Sequence, residues 1–184
     1  MTQKLVILDR DGVINQDSDD YIKSAQEWIP VPGSLEAISR LKKAGYTVVV
    51  ASNQSGLARG LFDLSALQGI HDKMKLALAQ RGTAIDGIYF CPHGPNDNCS
   101  CRKPKPGLLL QIAAEFKVKP VDMIFVGDSY TDIQAAQVAG SQAVLVKSGK
   151  GSKTFSRHGP FTDVAVYDDL SHFVRDFLNK HHEK

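Results

Sequence analysis

Short apolar runs recur along this chain, and most of them end on polar or charged residues. The first is Leu5 to Leu8, which is followed by Asp9, Asp11 and Gly12. An unbroken apolar run of this length is typical of a strand buried on both faces of a parallel sheet. Further strands are predicted in TVVVASN (47–53), IYFC (88–91), MIFVGDS (123–129), AVLVKSG (143–149) and DVAVYDD (163–169).

Predicted helices alternate with these strands. Apolar residues at helical spacing predict a first helix that Ser34 caps and Gly45 ends. The same spacing predicts helices over residues 64–80, 107–116 and 131–139, and a last one whose apolar positions run from Leu170 to Leu178. Strands that alternate with helices at short spacing predict an α/β fold with a doubly wound parallel sheet and right-handed crossovers.

Length and composition are those of an ordinary globular chain. With 184 residues, 42% hydrophobic and 23% charged, we expect one Rossmann-like domain over residues 1–184. The net charge of +2 and the lack of a basic run argue against a nucleic-acid or membrane partner. No apolar stretch suits a signal peptide or a transmembrane helix, which predicts a cytoplasmic protein, and we take a monomer as the expectation.

The ends of the predicted strands carry a mixture of charged and polar groups. Carboxyl ends of parallel strands share one edge, and a topological switch between strands one and four would bring Asp9 and Asp11 opposite Asp128. Phosphoryl transfer requires a carboxylate nucleophile, a second carboxylic acid, oxygen ligands for a hard cation, and donors to the phosphoryl oxygens. The groups at this edge are Asp9, Asp11, Ser52, Asn53, Arg102, Lys103, Asp128 and Asp132.

Between the third strand and Lys103, the chain has the spacing Cys-x-His-x5-Cys-x-Cys. Its members are Cys91, His93, Cys99 and Cys101. Three thiolates and an imidazole complete a tetrahedral Zn²⁺ site without an open position, so we predict a structural zinc loop over residues 91–101. The alternative is three reduced cysteines and a surface histidine. Because Lys103 follows the last ligand so closely, the expected effect of the zinc is positional.

The chain resembles phosphatases of the haloacid dehalogenase superfamily through four motifs. These are DRDG at 9–12, Ser52 in VASNQ, Lys103 in CRKPKPG and GDSYTD at 127–132. The resemblance implies that Asp9 is the nucleophile, that Asp11 is the general acid and then the base, and that Ser52 and Lys103 stabilise the phosphoryl group. It also implies Mg²⁺ bound to Asp9, the Asp11 backbone carbonyl and Asp128, with Asp132 in support. The loops over residues 15–33 and 91–101 are too short for a cap domain.

The zinc loop narrows the resemblance to the branch that contains heptose bisphosphate and histidinol-phosphate phosphatases. SNQSG at 52–56 and LVKSGKG at 145–151 resemble the heptose enzymes. That resemblance implies removal of the C7 phosphate of D-glycero-D-manno-heptose 1,7-bisphosphate, through an aspartyl phosphate, in the synthesis of lipopolysaccharide core heptose. It implies contacts to the sugar phosphate from Asp17, Ser18, Asp19, Asp20, Ser52, Asn53, Gln54, Ser55, Arg102 and Lys103.

Two alternatives remain open on the sequence. One is a histidinol-phosphate phosphatase; the other is a zinc-stabilised binding module, for example for nucleic acid, with a degenerate catalytic site. The near-neutral charge and the lack of an aromatic stacking motif count against the binding module. Residues 147–153 (KSGKGSK) superficially resemble a phosphate-binding loop but lack Gly-Lys-Ser/Thr at the required spacing, so we predict a mobile basic surface loop there.

Overall fold

The computed structural model describes residues 5–182, and the side chains of residues 5–180. Its strands are β1 Leu5–Leu8, β2 Thr47–Asn53, β3 Gly87–Cys91, β4 Met123–Gly127, β5 Gln142–Val146 and β6 Ala165–Tyr167. Its helices are α1 Ser34–Lys43, α2 Leu64–Ala79, α3 Gly107–Glu115, α4 Tyr130–Ala139, α5 Gly151–His158 and α6 Leu170–His182. A short 3-10 turn, Pro120–Asp122, precedes β4.

The strands form one parallel sheet in the order β3-β2-β1-β4-β5-β6. Leu8 pairs with Val50 of β2 on one side and with Val126 of β4 on the other. The order of the strands therefore reverses at β1, as the sequence predicts. This reversal places the residues that follow β1 in the crevice between the ends of β2 and β4.

Hydrophobic cores cover both faces of the sheet. Val6 and Leu8 pack into a core with α1, α2 and α6, whereas Leu5 and Ile7 pack into a core with α3 and α4. All four side chains are at most 1% exposed. Burying one such side chain stabilises the fold by roughly 1.5–3 kcal/mol. The two cores explain why β1 is an unbroken apolar run, and they hold the start of the crevice rigidly.

Two local predictions were wrong. Gly33, with a φ of 81°, is the N-cap of α1, and no side chain caps the helix. Ser34 is instead its first residue, and the Ser34 hydroxyl donates to the carbonyl of Ile14 at 2.6 Å. The segment predicted as a surface loop over residues 147–153 is a turn followed by the start of α5. Periodicity missed α5 because the helix has eight residues, of which only Gly151 and Thr154 are buried.

Loops follow the carboxyl ends of β1 and β3. Within the described chain, residues 9–33 hold only isolated bridges, and residues 92–106 hold neither a helix nor a strand. Within the described residues, neither segment forms a cap domain. Among residues 5–182, no helix has the length and apolar character needed to cross a membrane.

Candidate active site and zinc cluster

Asp9 follows β1 directly, and its carboxylate lies against a buried lysine. The Asp9 N–H donates to the carbonyl of Val126 at 2.9 Å, which extends the β1–β4 pairing by one residue. Lys103 Nζ lies 3.0 Å from Asp9 Oδ1 and 2.7 Å from Asp132 Oδ1. Although burial acts to lower the pKa of Lys103, the carboxylates of Asp132 and Asp9 raise it above its usual value. Lys103 is therefore a fixed ammonium at the base of the crevice.

The GDSYTD segment supplies two further carboxylates at the end of β4. Ser129 and Asp132 form a capping box at the start of α4, and the Ser129 hydroxyl also donates to Asp132 Oδ2 at 2.7 Å. Gly127 is required there because a Cβ would overlap the Asp132 carboxylate. Asp128 Oδ2 accepts from the backbone N–H of Lys150 at 2.7 Å. The helix cap thus fixes Asp132, and the turn before α5 fixes Asp128.

Three carboxylates crowd at this point of the crevice. One oxygen of each of Asp9, Asp128 and Asp132 lies within 4.8 Å of the others. Burial raises the pKa of Asp9 to about 7, and the charge of Asp132 adds to the effect. Burial also raises the pKa of Asp128 well above its usual value, reinforced by Asp9 and Asp132. Buried oxygen ligands that repel one another fit a hard divalent cation such as Mg²⁺, whose charge offsets that repulsion.

Asp11 lines the same crevice, but its carboxylate is held by other partners. The fully buried Arg10 donates to Asp11 Oδ1 from Nε at 2.9 Å and to Oδ2 from Nη2 at 3.0 Å. Asn15 Nδ2 donates to the same carboxylate at 2.9 Å. Although burial acts in the other direction, the Arg10 guanidinium holds the pKa of Asp11 below its usual value. The prediction that Asp9 and Asp11 both face Asp128 thus holds for the Asp9 carboxylate, whereas the Asp11 carboxylate turns to Arg10.

Ser52 and Gln54 lie behind the crevice. Ser52 is 1% exposed and Gln54 is 3% exposed. Gln54 Nε2 donates to Ser52 Oγ at 2.5 Å and to Asp11 Oδ2 at 3.3 Å, while Gln54 Oε1 accepts from Arg10 at 3.3 Å. Because the amide donates to Ser52, the hydroxyl proton of Ser52 remains available to another acceptor. Gln54 therefore connects Ser52 to Asp11.

The crevice encloses a cavity of about 290 Å³. The residues predicted from the sequence that line it are Asp9, Asp11, Asp17, Ser18, Asp19, Asn53, Ser55, Arg102, Lys103, Asp128 and Asp132. Asp20, Ser52 and Gln54 are not among the lining residues. The residues that line it without having been predicted as site residues are Tyr21, Ser129, Thr131 and Lys150.

The predicted zinc ligands gather at the end of β3. Cys91 Sγ lies 3.0 Å from Cys101 Sγ and 3.6 Å from Cys99 Sγ. His93 Nδ1 lies 3.5 Å from Cys91 Sγ and 3.4 Å from Cys101 Sγ. Ligands of a tetrahedral zinc, about 2.0–2.3 Å from the ion, lie roughly 3.3–3.8 Å from one another. The distances from Cys99 and His93 fall in this range, and the Cys91–Cys101 distance is shorter. The three cysteines are free thiols, and the four ligands fit a closed structural zinc site.

The zinc loop and the crevice meet at Lys103. Asn53, at the end of β2, donates to the Lys103 carbonyl at 3.0 Å and accepts from the Lys103 N–H at 3.1 Å. On the other side, Arg102 Nη1 donates to the carbonyl of the zinc ligand His93 at 3.3 Å. Lys105 Nζ donates to the carbonyl of Cys99 at 2.7 Å. The backbone of Lys103 is therefore held between β2 and the zinc loop.

Comparison with known proteins agrees with this geometry. The sequence model for haloacid dehalogenase-like hydrolases matches residues 3–140. The chain belongs to the haloacid dehalogenase-like hydrolases. It is similar to the D-glycero-beta-D-manno-heptose-1,7-bisphosphate 7-phosphatase of Bordetella bronchiseptica, with 52% identity over 177 residues that cover 96% of this chain and 99% of the relative. The enzyme of the same name from Pseudomonas putida is 49% identical over 175 residues, which cover 95% and 99%.

A solved structure is similar over nearly the whole chain. The crystal structure of D,D-heptose 1.7-bisphosphate phosphatase from B. bronchiseptica, complexed with magnesium and phosphate, has a TM-score of 0.94 and 52% sequence identity. The similarity covers 97% of this chain and 99% of that chain. The predicted haloacid dehalogenase fold is thereby confirmed, as is the phosphatase class of the enzyme.

In this hydrolase, the turn before α5 is a wall of the active site, which the sequence analysis missed. Ser148 Oγ donates to the Gly12 carbonyl at 2.7 Å, and Thr154 Oγ1 donates to the Asp128 carbonyl at 2.9 Å. Gly12 and Gly149 have φ angles of 84° and 56°, and a Cβ at either position would overlap the Asp128 carboxylate. In the sequence, the available signal for this wall was the two glycines of KSGKGSK (147–153), combined with a lysine. Gly149 allows close backbone approach to Asp128, and Gly151 allows close approach to the Val146 carbonyl.

Proposed function

We propose that this hydrolase removes the C7 phosphate of D-glycero-D-manno-heptose 1,7-bisphosphate and yields heptose 1-phosphate and inorganic phosphate. The observation that carries the proposal is the buried Lys103 paired with Asp9 and Asp132 in an open, carboxylate-lined crevice. The names of relatives at 49% and 52% identity support the choice of sugar. The product would enter the synthesis of the heptose units of the lipopolysaccharide core.

The first step places Asp9 as the nucleophile. Asp9 Oδ1 accepts from the Arg10 N–H at 2.8 Å and from Lys103, so that, among the described residues, Oδ2 is left for attack on phosphorus. Asp11 gives a proton to the C7 oxygen as the phosphorus–oxygen bond breaks, which leaves an aspartyl phosphate. Lys103 and the free hydroxyl proton of Ser52 stabilise the phosphoryl oxygens.

Mg²⁺ held by Asp9, the Asp11 backbone carbonyl and Asp128, with support from Asp132, would neutralise the phosphoryl charge and reduce its repulsion from Asp9. In the second step, Asp11 accepts a proton from the water that attacks phosphorus. The bond to Asp9 then breaks and inorganic phosphate leaves. The contacts from Arg10 and Asn15 favour the carboxylate form of Asp11, which this step requires, whereas the first step draws on its protonated form.

Short loops recognise the substrate in this proposal. The residues assigned to the sugar phosphate are Asp17, Ser18, Asp19, Asp20, Ser52, Asn53, Gln54, Ser55, Arg102 and Lys103. We assign Ser52 and Gln54 a place next to the transferred phosphoryl group, because both are buried behind the crevice. The whole chain would act as one phosphatase domain and as a monomer. Cytoplasmic conditions would keep its three free cysteines reduced.

The selection of the C7 phosphate over the C1 phosphate follows from which of the two can reach Asp9. Because only loops border the crevice, an extended primary phosphate at C7 can reach Asp9 while the ring and the C1 phosphate stay near the rim. A charge-assisted contact to the second phosphate is worth roughly 1.5–3 kcal/mol, which corresponds to about a tenfold to hundredfold preference over histidinol phosphate.

Phosphorus NMR of the products tests this proposal. We expect heptose 1-phosphate and inorganic phosphate, with turnover that stops when Mg²⁺ is removed and returns when it is restored. Release of the 7-phosphate product or faster turnover of histidinol phosphate would contradict the assignment of substrate. No hydrolysis of any phosphate ester, including p-nitrophenyl phosphate, would favour the binding module.

A further inference from the structure

Lys150 lies at the mouth of the crevice on a backbone that is fixed to the catalytic carboxylates. Its N–H donates to Asp128 Oδ2 at 2.7 Å, and the neighbouring Ser148 hydroxyl donates to the Gly12 carbonyl at 2.7 Å. Its side chain, in contrast, is 53% exposed. A fixed Cα with an exposed ammonium is suited to bind a charged group that enters the crevice.

The ammonium of Lys150 pairs with the opposite rim. Lys150 Nζ lies 3.3 Å from Asp17 Oδ2 and 3.9 Å from Asp19 Oδ1. The Asp17 side chain is 17% exposed, and the Asp19 side chain is 99% exposed. Because the pair is reached by solvent, its net contribution to stability is small. A phosphate dianion can therefore compete for Lys150 at low cost.

The ion pair of Lys150 with Asp17 lies where the crevice continues into a second cavity. That cavity of about 520 Å³ is lined by Asp17, Ser18, Asp19 and Lys150, which also line the catalytic cavity, and by Lys153 and Pro32. A substrate with one phosphate at Asp9 thus has room for a second anionic group beside Lys150. Arg102 also lines the catalytic cavity, and it borders a third cavity of about 260 Å³ next to Gly94 and Pro95.

We propose that Lys150 binds the phosphate that is not transferred and thereby selects bisphosphate substrates. This inference rests on the proposed function. On binding, Lys150 exchanges its ion pair with Asp17 for an ion pair with the distal phosphate. The Asp17 carboxylate, released from Lys150, then accepts hydrogen bonds from hydroxyl groups of the sugar. Through this exchange of ion pairs, the site thus recognises both the second phosphate and the hydroxyl groups of the sugar.

Arg102 is the alternative candidate for binding the phosphate that is not transferred. Arg102 is next to Lys103 in the chain, and its guanidinium donates to the His93 carbonyl at 3.3 Å. That contact ties it to the zinc loop, whereas Lys150 has only the carboxylates of the opposite rim as side-chain partners within the described residues. At Lys150, the distal phosphate therefore meets a cation whose ion pair with the rim carboxylates can be replaced.

The test compares two substrates that share the sugar and the scissile phosphate. Values of kcat/KM are measured for heptose 1,7-bisphosphate and for heptose 7-phosphate with the wild type and with Lys150→Gln, Lys150→Arg, Arg102→Gln and Lys147→Gln. Lys147 is the matched control, since it is an exposed lysine of the same segment whose ammonium lies over Phe155 at 5.4 Å. Melting curves of each variant report whether the fold is intact.

We expect Lys150→Gln to lower the bisphosphate-to-monophosphate ratio by about tenfold or more, mainly through KM. Lys150→Arg should retain the ratio within about threefold, because a cation is kept. Lys147→Gln should match the wild type. An unchanged ratio in Lys150→Gln, or a ratio lost only in Arg102→Gln, would overturn the role of Lys150 and leave the proposed function intact. A wild type that hydrolyses neither substrate would overturn both.

Discussion

The crevice at the end of β1 and the loop after β3 are both clusters of metal-ligand side chains, yet they are assembled in opposite ways. The oxygen ligands Asp9 and Asp128 are 119 positions apart in the chain and follow strands that are adjacent in the sheet. The sulfur and nitrogen ligands all lie between Cys91 and Cys101. The first cluster depends on the topology of the sheet, and the second depends on local spacing.

The two clusters also differ in how they meet solvent and substrate. The oxygen cluster opens into the cavity of about 290 Å³ and includes a lysine that pairs with two of its carboxylates. The thiolate cluster supplies four ligands, which would complete a tetrahedral zinc without an open position, so its effect on catalysis would be indirect. Removing a member of the first cluster should abolish chemistry, and removing a member of the second should displace a catalytic residue.

Asp9→Asn tests the oxygen cluster with the largest expected effect. We expect turnover to fall by at least about 10⁴-fold, because the amide is a poor nucleophile and one metal-ligand charge is lost. Steady-state assays with p-nitrophenyl phosphate measure this, and circular dichroism checks the fold. Asp163→Asn, an exposed aspartate before β6, is the matched control and should remain fully active. Substantial hydrolysis by a folded Asp9→Asn protein would refute the nucleophile assignment.

Asp11→Asn separates proton transfer from metal binding within the same crevice. The expected loss is about 10²- to 10⁴-fold in kcat, since the amide cannot shuttle a proton, while the backbone carbonyl still binds Mg²⁺. Titration of Mg²⁺ should therefore show weaker binding for Asp128→Asn than for Asp11→Asn. Equal losses of Mg²⁺ affinity in the two variants would show that the division of labour is wrong.

Asp11→Asn should also lower the stability of the fold, and this effect must be separated from the effect on catalysis. The buried Arg10 loses the charge of the carboxylate to which Nε and Nη2 donate, and an uncompensated buried charge is destabilising. We therefore expect a lower melting temperature, and rates should be compared well below it.

Cys99→Ser tests the second cluster and should have an intermediate effect. We expect zinc to be lost, as measured by elemental analysis after dialysis, and kcat to fall by about tenfold to hundredfold through displacement of Lys103. Mg²⁺ binding should be largely retained. Ser100→Ala changes the exposed residue between two ligands and should keep both zinc and activity. Full activity in a protein without zinc would show that the loop does not position Lys103.

The sequence predicted the two clusters unequally well. The four predicted zinc ligands do gather in the structure, because their spacing within one loop is visible in the chain. The crevice was predicted from strand ends, but the direction of the Asp11 carboxylate was not, since it depends on the buried Arg10 and on Gln54. Lys150 was missed because α5 is only eight residues long with few apolar residues, and because the Lys150 N–H and the Thr154 hydroxyl make its contacts with Asp128.

The smallest expected effect concerns Asn53, which joins the two regions. Its amide makes two hydrogen bonds with the backbone of Lys103, at 3.0 and 3.1 Å. Hydrogen bonds of this kind contribute about 0.5–1.5 kcal/mol each, so Asn53→Ala should lower kcat by about threefold to tenfold with zinc content unchanged. The double variant Asn53→Ala/Cys99→Ser should lose less transition-state stabilisation than the sum of the losses in the two single variants, since both substitutions loosen the same backbone. Strictly additive losses would mean that β2 and the zinc loop position Lys103 independently.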